Sequence, residues 1–119
     1  MIGELIKAQH AHFGIAYDGP PRELDVDELS FRSGCIAEEL SELLLATSLE
    51  EQYDALIDLM VFAAGTLERM GLPIEEAFAV IVQSNMTKTL GPNTSRNGFK
   101  LDLVKGEEYV APDLTDLCS

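Results

Sequence analysis

Basic side chains are scarce in this chain: 8 lysines and arginines stand against 21 aspartates and glutamates, for a formal net charge of -13. So acidic a chain is not built to hold a nucleic-acid backbone or an anionic membrane, since both attract basic patches. Cysteine is scarcer still. Cys35 and Cys118 are far apart and make no CxxC spacing. No apolar run reaches the roughly 20 residues of a membrane span. No basic leader runs into an apolar segment, so no signal peptide is expected, and a cytoplasmic protein of a reducing compartment fits best. No repeat or low-complexity tract is present. No Ser/His/Asp arrangement is evident and neither cysteine has a recognisable partner, so a covalent nucleophile is not expected. With 119 residues and 46% apolar content, one domain with a real core is the expectation.

What the chain does have is acid set into apolar sequence. Between Ile36 and Phe62 lie two clusters, Glu38-Glu39-Leu40-Ser41-Glu42 and Asp54-Ala55-Leu56-Ile57-Asp58. Carboxylates are seldom buried unless something pairs with them. Asp58 stands in Ile-Asp-Leu-Met-Val-Phe, so it calls for a cation, a metal or a hydrogen-bond network.

Four helices are expected. The first covers residues 2–13, with Ile2, Leu5, Ile6, Gln9 and Phe13 at helical spacing and Gly14 as its stop. His10 and His12 within it are two apart and do not share a face, so they read as solvated or packed rather than as metal ligands. Gly19-Pro20-Pro21 marks a loop over 14–26. A second helix begins near Asp27 or Ser30 and runs to about Ala46. Ser48-Leu49-Glu50-Glu51 reads as a capping box opening a third helix that ends at Met70, with Gly71 beyond it. Pro73 suits the first turn of a fourth helix through about Lys88, with Ala77, Val80, Ile81 and Ser84 inward. After Thr89, the pairs Asn97-Gly98 and Lys105-Gly106 and the stretch Gly91-Pro92-Asn93 signal turns, and residues 89–119 read as an extended tail with room for a short hairpin.

Helical geometry turns by about 100° per residue and gives the faces directly. Glu39 lies roughly 40° from Leu43, on the edge of the side defined by Ile36, Leu40 and Leu43, and Glu42 lies about 60° beyond it. Glu38 points more outward. In the third helix Glu51, Asp54 and Asp58 fall within about 60° of arc. Two antiparallel helices joined by a short break would set Glu39 and Glu42 against Asp54 and Asp58. Like charges that close raise one another's pKa, and a Mg²⁺ ion, which takes carboxylate oxygens, removes the repulsion. Asn85 and Lys88 share a face and suit a nucleotide phosphate or base; equally, Lys88 could serve the C-terminal dipole of its helix.

These residues resemble a known family. Glu38-Glu39-x-x-Glu42, a spacer and a second acidic pair ending in Asp58 look like the all-α nucleoside triphosphate pyrophosphohydrolases, the MazG-like proteins, with phosphoribosyl-ATP pyrophosphohydrolase and dimeric dUTPase as relatives. Gly65-Thr66, Met70-Gly71-Leu72, Ser84-Asn85-Met86-Thr87-Lys88, and Lys105-Gly106 through Tyr109 to Pro112-Asp113-Leu114 are similar to the short phage and bacterial members. The resemblance covers roughly residues 28–114. It implies an all-α, four-helix bundle that forms a dimer or tetramer, and Mg²⁺-dependent hydrolysis of a nucleotide to monophosphate and pyrophosphate, with Mn²⁺ as a possible substitute. It carries metal ligation to Glu39, Glu42 and Asp58, and the motif's leading acid to Glu38. The family's second pair is usually Glu-x-x-Asp, but the position three before Asp58 is Ala55; Asp54 or Glu51 would complete the pair, with Asp54 preferred. On this basis Glu38 would orient or deprotonate the attacking water, Lys88 would neutralise the leaving pyrophosphate, and Asn85 would bond sugar or phosphate. Two rivals are phosphoribosyl-ATP hydrolysis within the family and, outside it, a non-catalytic acidic helical module that binds a partner protein.

Overall fold

The computed structural model describes residues 1–92 and 100–119; the Asn97-Gly98 turn signal lies outside the described residues. Four α-helices are present as expected, α1 Ile2–His12, α2 Val26–Leu45, α3 Leu49–Arg69 and α4 Glu75–Asn85. Two short strands follow, β1 Thr89–Pro92 and β2 Leu101–Val104, and then a single 3₁₀ turn at Thr115–Cys118. The chain divides into two compact units, Met1–Ile74 with Ser119, and Glu75–Cys118. So α1, α2 and α3 make up one unit, while α4 shares the other with what the sequence presented as a tail. No helix among the described residues is long and apolar enough to cross a membrane.

In the first unit α2 and α3 pack along one another, and α1 lies against α3. Helix α2 starts earlier than either expected cap, because the Asp25 carboxylate accepts the Glu28 N–H at 2.8 Å and closes the first turn there. Helix α3 starts where the sequence placed it: Ser48 Oγ accepts the Glu51 N–H at 3.1 Å. The Glu51 carboxylate returns to Thr47, accepting its N–H at 2.7 Å and its hydroxyl at 3.1 Å, one residue short of the ordinary capping box. Gly71 ends the helix at φ +71, and a Cβ there would stand 2.9 Å from the Tyr17 ring. The absence of a side chain therefore lets the 14–25 loop fold onto the end of α3. Arg22 secures that loop, with its N–H on Met70 O and its Nε on Arg69 O, each at 2.9 Å.

The apolar core is thin. Ile6, Ala55 and Ala64 are the buried hydrophobic residues, whereas the interior also holds His10, Arg32 and Glu68. Glu68 accepts from Tyr17 N–H at 3.0 Å and Lys7 Nζ at 3.3 Å, and its other oxygen is bonded to His10 Nδ1. Gly65 makes room for this layer: a Cβ there would stand 3.1 Å from both Arg32 Nη1 and His10 Nε2. His10 is thus a packed histidine and His12 a solvated one. Outside this interior, α3 carries an apolar stripe at helical spacing, Leu49, Tyr53, Leu56, Ile57 and Met60, each between 44% and 82% exposed.

In the second unit α4 is shorter than expected at both ends. Pro73 precedes the helix instead of opening it, and the helix stops at Asn85, short of Lys88. Of the expected inward stripe only Ser84 is buried. The hydroxyls of Ser84 and Thr87 explain the early stop, because they serve the returning chain: Ser84 Oγ donates to Val110 O at 2.7 Å and Thr87 Oγ1 accepts Val110 N–H at 2.9 Å. Strands β1 and β2 pair antiparallel, Thr89 against Val104 and Pro92 against Leu101. The described residues after Lys88 therefore include a strand pair and a 3₁₀ turn where the sequence suggested an extended tail.

Candidate active site

Ser48, Glu51 and Thr47 set the sharp break between α2 and α3, and that break places the last turns of α2 beside the first turns of α3. Glu39 and Glu42 come from the first helix, Asp54 and Asp58 from the second. Glu39 is half-buried, and its Oε2 is sealed from solvent with no hydrogen-bond partner. Its pKa is raised to about 6, first by loss of solvent, then by the adjacent Glu42 carboxyl, then by the negative charges of Asp58 and Asp54. A proton shared between Glu39 and Glu42 would bond the two; as two carboxylates neither has a donor to offer. Glu42, Asp54 and Asp58 therefore all act on one point, Glu39, and the two helix faces do bring these acids near one another.

Their exposures differ. Asp58 is half-buried and not sealed in, because much of the apolar run around it faces solvent. Glu38, Glu42 and Asp54 are exposed. Glu38 is absent from the groups that shift Glu39, consistent with its outward direction on α2. Glu51, the rival for the second acidic pair, is engaged with Thr47, whose N–H and hydroxyl hold its pKa down. That leaves Asp54 free to face the cluster. Ala55, where the family pattern has an acid, is 2% exposed and belongs to the core.

Two concavities open beside the acids. The smaller, about 280 Å³, is lined by Glu42, Leu45, Ala46, Glu51 and Asp54. The larger, about 680 Å³, is lined by Ser48, Glu50, Glu51, Tyr53, Asp54 and Ile57 and contains only one of the four acids. The ring of Tyr53 in that wall was not singled out by the sequence; its place next to Asp54 was the available signal.

Do these residues suit a divalent ion? The donors are hard carboxylate oxygens, and one of them is buried with nothing to bond. Among the described residues no three acid, histidine or cysteine side chains are gathered as a ready-made ligand set. The oxygen donors and the orphaned Glu39 Oε2 have the chemistry that a hard divalent ion takes.

Asn85 and Lys88 belong to the other unit. Because α4 ends at Asn85, helical periodicity no longer puts the two on one face. A turn does keep them adjacent, with the Lys88 N–H on Asn85 O at 3.1 Å. Both are half-buried. Both cysteines are free, Cys35 half-buried and Cys118 exposed.

The model of one protein family, described as phosphoribosyl-ATP pyrophosphohydrolase, matches residues 6–85, more than half of the chain. That match makes the protein a pyrophosphohydrolase, a hydrolase acting on phosphoanhydride bonds. The chain belongs to the phosphoribosyl-ATP pyrophosphohydrolase family, and the match takes in every acid of the α2–α3 cluster and ends at Asn85. No curated protein sequence gives a significant match.

Proposed function

We propose that the protein is a Mg²⁺-dependent nucleoside triphosphate pyrophosphohydrolase, cleaving a (d)NTP or related nucleotide to monophosphate and pyrophosphate. The observation that carries this reading is the Glu39 carboxylate, partly buried, without a donor and surrounded by Glu42, Asp54 and Asp58. Glu39, Glu42, Asp54 and Asp58 would hold the ion, with Mn²⁺ as a substitute. The ion would supply charge neutralisation at the phosphates and a more acidic bound water. Glu38, exposed at the outer edge of the cluster, would accept a proton from the attacking water. Lys88 would neutralise the leaving pyrophosphate and Asn85 would bond sugar or phosphate.

Self-association as a dimer or tetramer belongs to the same proposal. The α3 stripe of Leu49, Tyr53, Leu56, Ile57 and Met60 is too apolar to remain solvated, and a second copy of the chain is the expected cover. Phosphoribosyl-ATP is the second substrate reading, favoured by the description of the matching family. Canonical and damaged nucleoside triphosphates together with phosphoribosyl-ATP, incubated with Mg²⁺ or Mn²⁺ and assayed for pyrophosphate and for single phosphate, decide between the two. Pyrophosphate release from none of them would leave only the acidic protein-binding module.

A further inference from the structure

Four of the chain's 8 bases, Lys88, Arg96, Lys100 and Lys105, fall within residues 88–105, where the single acid is Asp102. Three of the four bases of the first unit are already engaged. Lys7 pairs with Asp18 and Glu68, and Arg22 and Arg69 pair with Glu28, whereas Arg32 is buried with its Nε unpartnered. By contrast, among the described residues no carboxylate lies within ion-pair distance of Lys88 or Lys105, although Glu107 and Glu108 follow closely in sequence.

The fold brings these two lysines together. Thr89 pairs with Val104, so Lys88 and Lys105 are the residues that flank that pair at the open end of the hairpin. Gly106 keeps the two chains in step beyond it, since a Cβ there would stand 3.3 Å from Thr89 Oγ1. The Ser84 and Thr87 hydroxyls clamp Val110 from both sides and so fix the neighbouring Tyr109. The Lys105 ammonium lies over the Tyr109 ring, 5.2 Å from its centroid. Like charges at facing positions of a hairpin are destabilising. Lysines that only keep a strand edge soluble are mobile; here Lys105 is held over the Tyr109 ring, at the register position next to Lys88.

We propose that Lys88 and Lys105 form a two-cation site for the phosphate chain of a nucleotide, with Tyr109 as the positioning residue for Lys105. The site lies wholly within the second unit and rests on the reading above only for the nucleoside attached to that phosphate chain. Inorganic tripolyphosphate is the probe, titrated calorimetrically into the whole chain at low salt without divalent ions. Wild type should bind, with affinity falling as salt is added. Lys105→Ala should weaken binding about tenfold, the scale of one charge-assisted hydrogen bond, while Lys105→Arg retains it. Tyr109→Leu should match Lys105→Ala, and Tyr109→Phe, which keeps the ring, should match wild type. The site is overturned if wild type fails to bind, if Lys105→Ala binds as wild type does with its helical content unchanged, or if Tyr109→Phe is as weak as Tyr109→Leu. The nucleotide panel separates the two ideas. Tripolyphosphate binding without pyrophosphate release removes the enzyme reading alone, whereas turnover with an unchanged KM in Lys105→Ala removes the lysine site alone.

Discussion

Two glutamates of the first unit lie in the protein interior or at its edge and have met opposite fates. Glu68, at the α1–α3 contact, is buried, and burial alone pushes its pKa up. His10, the Tyr17 N–H and Lys7 together outweigh that and hold it below the ordinary value. Glu39, at the α2–α3 contact, has an oxygen equally cut off from water but faces three acids and no donor, and its pKa rises to about 6. The difference separates a carboxylate whose partners are inside the chain from one that has no donor there. The first fastens a helix; the second is where the proposed ion would bind.

The comparison can be broken most sharply at Glu68. Glu68→Gln takes a buried carboxylate from the His10 ring and the Tyr17 N–H, while half-exposed Lys7 keeps Asp18, and should lower stability by about 3 kcal/mol in a denaturant titration. Glu39→Gln removes a repelled charge and should leave the melting temperature equal or higher. Equal losses in the two variants would erase the distinction. Next in size, Asp58→Asn should reduce pyrophosphate release by roughly a hundredfold or more, the scale of losing one electrostatic contact to a reacting group, while the melting temperature holds or rises. Full activity there would remove the acids from the chemistry.

The pH dependence sharpens the same contrast. Glu39 titrates at about 6 in the folded state against 4.5 ordinarily, so its ionisation opposes folding above pH 6 and that penalty fades as pH falls toward 4.5. Glu68 is the reverse: its contribution is present above its ordinary value and is lost as pH falls through its lowered one. The metal-free protein should therefore become more stable between pH 7 and pH 5 and less stable below pH 4, as followed by thermal melts. Glu39→Gln should remove the first limb and keep the second. The smallest effect is expected at Gly65, where Ala would place a methyl 3.1 Å from Arg32 and from His10, which is locked by Glu68. About 1 kcal/mol of destabilisation is expected in the same denaturant assay.

How much of this was legible in the sequence follows the same divide. The acid cluster was readable because helical spacing alone projects Glu39, Glu42, Asp54 and Asp58 toward one seam, and the Ser48 cap fixes where that seam turns. Glu51 against Asp54 was not readable, because it depends on where a flexible carboxylate finds donors, and those turned out to be on Thr47. The Glu68 layer was invisible for a different reason. Its partners are Lys7, His10 and Tyr17, more than fifty residues away along the chain, and no local pattern announces such a contact. The end of α4 was misjudged because Ser84 and Thr87 bond to Val110, a tertiary contact that overrides the helical run toward Lys88. The hairpin was foreseen only as room for one, since its strands are four residues each.

The central claim is that Glu39 and its neighbours await a cation. Melting temperature measured against Mg²⁺ concentration, in wild type and in Glu39→Gln, tests it most directly. Mg²⁺ at about 100 times its dissociation constant should stabilise wild type by about 2.7 kcal/mol and have little effect on the variant. A wild-type melting temperature indifferent to Mg²⁺ and Mn²⁺, or a variant that gains as much as wild type, would contradict it.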